Sequence, residues 1–79
     1  MRLDKFLKDS RLIKRRTIAQ ELCKNGRVLI NDRPAKPGSL VKIDDTLTIS
    51  FGTQKKHVQV LKLPTSSSKI AAEGSYLEL

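Results

Sequence analysis

The opening 25 residues decide what this chain can fold into. Leu3, Phe6 and Leu7 recur at the i, i+3, i+4 spacing of one helical face, and Arg2, Lys5 and Lys8 fall off that face. A short helix is therefore expected over residues 3–9, with Asp4 and Lys8 as a favourable i,i+4 pair and Ser10 at its end. A second helix is expected over 14–25. Its buried stripe would be Ile18, Ala19, Leu22 and Cys23, with Leu12 and Ile13 packing where the chain enters it. Asn25-Gly26 stops that helix, because glycine just past a helix end takes the left-handed conformation without penalty. Helices this short do not hold alone in water, so the rest of the chain must give them an apolar surface.

The remainder reads as strands. Val28-Leu29-Ile30 is rich in β-branched residues, and Asn31-Asp32 both tolerate positive φ, which suits a two-residue turn. Arg33-Pro34-Ala35 returns, and Pro34 restricts that strand to an edge. After the loop Lys36-Pro37-Gly38-Ser39, the residues Leu40, Val41 and Ile43 are expected to add apolar contacts before a turn at Asp44-Asp45. Thr46 to Phe51 alternates with Leu47, Ile49 and Phe51 on one face, Gly52-Thr53-Gln54 reads as a hairpin loop, and Lys55 to Lys62 alternates again with Val58 and Val60 inward. The expected architecture is α+β: two N-terminal helices packed on a small, mostly antiparallel twisted sheet of four to five short strands. Residues 1–63 form that domain. Residues 64–79, opening with Pro64-Thr65-Ser66-Ser67-Ser68, are expected as a flexible C-terminal tail, mobile unless it folds back, with a helical turn near Lys69 broken by Gly74.

Size and charge then narrow the function. A chain of 79 residues makes one domain and buries only about 60% of its unfolded surface, which leaves no room for a deep catalytic pocket with a lid. No apolar run approaches the roughly 18 residues of a membrane span, and charges interrupt the N-terminal apolar residues too often for a secretory signal. The single cysteine fits a reducing cytosol. Cys23 lies on an apolar stripe and reads as a buried, inert thiol; His57 reads as a rim residue; Asp44-Asp45 reads as a turn rather than a metal pair. No metal spacing, phosphate loop or nucleophile elbow is present, so neither an enzyme nor a bound cofactor is expected.

The net charge is +8, and it is uneven: residues 1–36 hold 11 basic and 4 acidic residues, against 5 and 4 in residues 37–79. Such asymmetry marks a nucleic-acid binder rather than a merely soluble surface. The candidate RNA-binding residues are Arg2, Lys5, Lys8, Arg11, Lys14, Arg15 and Arg16, with Lys24, Arg27 and Arg33 behind them. Arginine forks grip phosphate bidentately and lysines add point charge. A DNA-reading helix-turn-helix would sit in a three-helix core, and here strands follow. Aromatics for stacking a single strand are scarce, only Phe6, Phe51 and Tyr76. Backbone charge and shape suit a folded RNA better. A DNA-binding regulator and a basic peptide on a membrane surface are the rival classes, and the β-rich second half opposes the latter.

The spaced elements Arg2-Leu3-Asp4-Lys5-Phe6-Leu7, Ser10-Arg11-Leu12, Arg15-Arg16-Thr17-Ile18-Ala19, Asn25-Gly26-Arg27-Val28 and Ile30-Asn31 resemble the signature of the RNA-binding domain family of small-subunit ribosomal protein S-four (the alpha-L RNA-binding motif). That family often has Gly after Asn31 and Gly-Asp before the next strand, where this chain has Asp32 and Asp44-Asp45. Among free-standing members, the length and the stretch Met1 to Thr17 resemble small bacterial ribosome-associated quality-control factors, related to a ribosome-associated heat-shock protein of fifteen kilodaltons. The resemblance implies a cytoplasmic, monomeric factor on the large ribosomal subunit obstructed by peptidyl-tRNA. It would contact rRNA and tRNA through the face carrying Arg2, Lys5, Arg11, Arg15 and Arg16, while the stalled chain receives an alanine tail from a factor on the same subunit. A general ribosome assembly or heat-shock role is the nearest alternative.

Overall fold

Leu3, Phe6 and Leu7 are wholly removed from solvent, and they share one hydrophobic cluster with Ala19, Cys23, Val28, Val41, Leu47, Ile49, Val58 and Val60. That cluster joins the helices to the strands in a computed structural model of the chain, described over residues 1–66 and 68–79. The elements run α1 (Leu3–Asp9), α2 (Arg16–Lys24), β1 (Val28–Ile30), β2 (Arg33–Pro34), β3 (Thr46–Phe51), β4 (Gln54–Val60), α3 (Lys69–Ala72) and β5 (Tyr76–Glu78). The five strands form one sheet in the order β2-β1-β3-β4-β5, every neighbour antiparallel. The α+β architecture expected from the residues is the one observed. The second helix is shorter than the expected 14–25, beginning only at Arg16.

The turns follow from their residues. Ile30 pairs with Arg33 across Asn31 (φ 51) and Asp32 (φ 67), both left-handed as a two-residue hairpin of this hand requires. The Asn31 side chain also braces the sheet: its Oδ1 accepts from the Thr46 N–H at 2.9 Å and its Nδ2 donates to Asp45 Oδ1 at 3.0 Å. Phe51 pairs with Gln54, so the second hairpin turns on Gly52-Thr53 alone and Gln54 already belongs to β4. Pro34 sits on the edge strand, where its missing N–H costs no ladder bond.

The start of α1 has no side-chain cap. A distant loop supplies one: the N–H of Leu3 donates to the Ser39 carbonyl at 2.7 Å and that of Asp4 to the Pro37 carbonyl at 3.1 Å. The Val41 N–H reaches back to the Met1 carbonyl at 2.8 Å. The first two bonds satisfy donors that a helix start otherwise leaves bare. Helix α2 closes as a Schellman motif, with Arg27 N–H on the Leu22 carbonyl (2.9 Å) and Gly26 N–H on the Cys23 carbonyl (3.1 Å). Gly26 has φ +71, and an added Cβ there would meet nothing within 4 Å. The Gly26→Ala variant therefore bears only the backbone strain, about 1 kcal/mol. A thermal melt should register it as a fall of roughly 4–8 °C.

Three expectations are corrected. Ile18 is 45% exposed rather than part of the buried stripe, because the α2 face turned inward is Ala19 and Cys23. Leu40 and Ile43 also face solvent, and of that trio only Val41 is buried. The boundary at 63 gives way too. Ser68 caps α3 by accepting the Ala71 N–H, and Tyr76–Glu78 pairs with β4 as the fifth strand, with a Lys56–Glu78 ion pair of 3.2 Å. Residues 68–79 fold back because the outer edge of β4 offers unpaired backbone groups that Tyr76–Glu78 can satisfy. The linker reading at Ser67 lies outside the described residues.

Candidate nucleic-acid interface

Asp4 is the pivot of the basic surface. Its carboxylate is fully buried, and donors from both helices converge on it. Arg2 donates from Nε (3.2 Å) and Nη2 (3.3 Å), Arg16 from Nε (3.2 Å) and Nη2 (3.4 Å), and Gln20 from Nε2 (3.0 Å). The Lys5 N–H adds a bond of 2.8 Å. Arg16 and Gln20 reach one acceptor because they stand one turn apart on α2. The expected Asp4–Lys8 pair is thereby corrected: Asp4 turns inward to the second helix, and the i,i+4 pair on α1 is Lys5 with Asp9.

This arrangement fixes two guanidinium groups without consuming them. The Arg2 and Arg16 side chains stay 53% and 44% exposed while each grips Asp4 by one edge. The Nη1 group of each remains for an outside acceptor, since guanidinium carries five donors. Phosphate oxygens match that fork.

The electrostatics are consistent with a permanent carboxylate. Burial alone would raise the Asp4 carboxyl, but the bonds from Gln20, Arg16, Arg2 and the Lys5 N–H outweigh it and bring it from 3.8 to about 2. Because the folded value lies below the unfolded one, Asp4 contributes stability above pH 4 that is lost as the pH falls towards 2. The shift corresponds to about 2 kcal/mol. Urea midpoints measured from pH 6 down to pH 2 should fall across that window, and the Asp4→Asn variant should lack this component of the slope.

The other basic residues divide into groups. Lys8, Arg11 and Lys14, with Ile13, line one hollow of about 370 Å³. Arg11 has φ 66, a left-handed position where glycine is usual, and its N–H caps α1 through the Lys8 carbonyl at 3.0 Å. Arg15 is the exposed N-cap of α2, next in sequence to Arg16. Lys24, Arg27 and Arg33 are exposed at the far end of α2 and on β2. Among the described residues no side-chain hydrogen bond ties those three to Asp4.

Three contributors carried little sequence signal. Gln20 is a polar helix residue whose only local cue is its i,i+4 relation to Arg16, which lets both reach one acceptor. Lys69 and Tyr76, from the C-terminal segment, line a hollow with Arg11 that no local pattern announces. Cys23 is buried, and burial, then the nearby Asp4 charge, pushes its thiol up to about 11, far from a nucleophile's range. His57 is exposed, with Nδ1 3.1 Å from the Thr48 hydroxyl. No helix is long and apolar enough to cross a membrane among the described residues.

Two short helices pinned together through a buried aspartate, presenting arginines beside an antiparallel sheet, define a class. The chain belongs to the S4-domain family, which matches residues 1–47. Within it, the chain is 51% identical over 76 residues to the RQC P-site tRNA stabilizing factor of Bacillus subtilis, covering 96% of this chain and 88% of that one. It is 47% identical over 76 residues to the protein of the same name from Halalkalibacterium halodurans, covering 96% and 86%. The trimeric structure of Vibrio cholerae Heat Shock Protein 15 superposes with a TM-score of 0.90 at 30% identity, over 100% of this chain and 81% of that one. The likeness thus extends past the matched domain into β4, α3 and β5.

Proposed function

We propose that the chain is a non-enzymatic RNA-binding factor that stabilises P-site tRNA on large ribosomal subunits obstructed by peptidyl-tRNA, in ribosome-associated quality control. One observation carries the RNA contact: Asp4 holds Arg2 and Arg16 rigid while leaving each a free donor edge. Preset guanidiniums lose less entropy on meeting phosphate than free side chains do. Two such groups, joined by the Lys8, Arg11, Lys14 and Arg15 cations, suit two backbones meeting at one place, as rRNA and tRNA do in a P site. The names of the relatives from Bacillus and Halalkalibacterium supply the ribosomal setting. Lys24, Arg27 and Arg33 extend the basic field towards the flanking RNA.

A single copy is the acting unit in this reading, because one chain provides every residue of the Asp4 cluster. The factor works in the cytoplasm beside the alanine-tailing factor, needs no cofactor and contacts no membrane. The test is sedimentation through a sucrose cushion in moderate salt, with large subunits that carry peptidyl-tRNA or lack it. Retention on the obstructed subunits is expected. Equal recovery on both would leave RNA binding standing but end the quality-control assignment in favour of a general assembly or heat-shock role.

A further inference from the structure

Ile18 is the large apolar residue of α2 that the fold does not bury. It opens on a hollow of about 390 Å³ lined by Leu12, Ile13, Ile18 and Phe51, with Lys14 and Arg15 on the rim. The three aromatic residues of the chain have distinct fates. Phe6 is fully buried in the core. Tyr76 borders a hollow that also carries Glu73, a charge that opposes a phosphate-bearing ligand. Phe51 is half-buried and borders two hollows: one carries Glu78, and the other joins it to aliphatic neighbours and cations with no acidic residue among the lining groups.

Resting on the RNA-binding reading above, we propose that this hollow receives one unpaired nucleotide of the bound RNA, its base against Phe51 and Ile18 and its phosphate on Lys14 and Arg15. The rim argues for the occupant. Lys14 and Arg15 have no acidic partner within ion-pair distance among the described residues, so their charge is available to an anion. An apolar floor under a purely cationic rim complements a nucleotide, which has an apolar face and an anionic edge. An apolar protein side chain uses only the floor. The hollow also continues the arginine surface, because Arg15 adjoins Arg16. One aromatic at this place fits one base, not a run of them. Sequence-specific contacts to RNA favour such unstacked bases in loops and bulges.

The experiment places a photo-crosslinking amino acid at Ile18, where 45% exposure leaves room for it, and irradiates the protein on large subunits bearing peptidyl-tRNA. A crosslink to a single RNA nucleotide that is unpaired is the expected result. In parallel, Phe51→Leu, which keeps an apolar group against the core, should weaken retention on those subunits roughly tenfold while the melting temperature falls by only a few degrees. A crosslink to a protein, to a second copy of this chain or to paired RNA would overturn the proposal. So would full retention of Phe51→Leu, or subunit binding without any crosslink to RNA. Failure to sediment with subunits at all would instead strike the RNA-binding reading itself and take this inference with it.

Discussion

Replacing Asp4 by alanine is expected to lower stability by about 2–3 kcal/mol, which in a domain this small is a drop of roughly 10–20 °C in melting temperature. The reason is the convergence on that carboxylate. Its removal leaves Gln20 and the Lys5 N–H without their acceptor, and it cuts the link between α1 and α2. The loss stays below what a fully interior ion pair would cost, because the Arg2 and Arg16 heads can turn to water. RNA binding should change in a telling way. Losing a negative charge raises the formal net charge from +8 to +9, so affinity for an unstructured polyanion such as heparin should not fall. Affinity for the ribosomal site should fall, since two guanidiniums must then be ordered on binding. An unaltered melting curve would show that the Asp4 cluster is ornamental.

The Arg16→Ala variant is expected to weaken association with large subunits about tenfold and to reduce the salt slope of binding by about 1. Its stability cost should stay under about 1 kcal/mol, since Asp4 keeps the bonds from Arg2, Gln20 and the Lys5 N–H. The helical pattern, which treats Arg16 as a surface cation, also implies a small cost; the structure adds its bond to Asp4. Arg16→Lys sharpens the test. Lysine restores the charge but cannot hold Asp4 with one edge and phosphate with another. The salt slope should recover while the affinity does not. Full recovery with lysine would mean that charge alone is read at this position, and the preset fork would have no role.

The local grammar of the chain was largely legible. The Leu3, Phe6, Leu7 spacing gave α1 over the same residues that form it, and Asn25-Gly26 marked the close of α2. Asn31-Asp32 gave its hairpin because the requirement for two positive φ values is local. Most of the failures come from contacts between residues far apart in sequence. Asp4 looked like a partner for Lys8 because a helix pattern sees only its own neighbours, and Arg16 and Gln20 lie 12 and 16 residues away. Ile18 looked buried because period alone cannot say where the stripe ends and the site begins. The fold-back at residues 68–79 was hidden because a three-residue strand carries too short a pattern, and its pairing depends on the edge of β4. The ten basic residues were all visible, but their grouping was not. Sequence offered a field of charge, and packing turned part of it into a fixed pair of forks.

The cap on α1 has a consequence for the order of synthesis. The first helix leaves the ribosome before the carbonyls of Pro37 and Ser39 that complete it, and before the Val41 N–H that ties down Met1. Until then Arg2 and Asp4 belong to a fluctuating segment, and a helix that short does not persist by itself. A nascent chain of this protein thus carries its N-terminal cations without the fixed Arg2–Asp4 geometry until residue 41 has been added. The preset fork is therefore a late product of folding, completed by backbone bonds from Pro37, Ser39 and Val41 rather than by the residues that carry the charge.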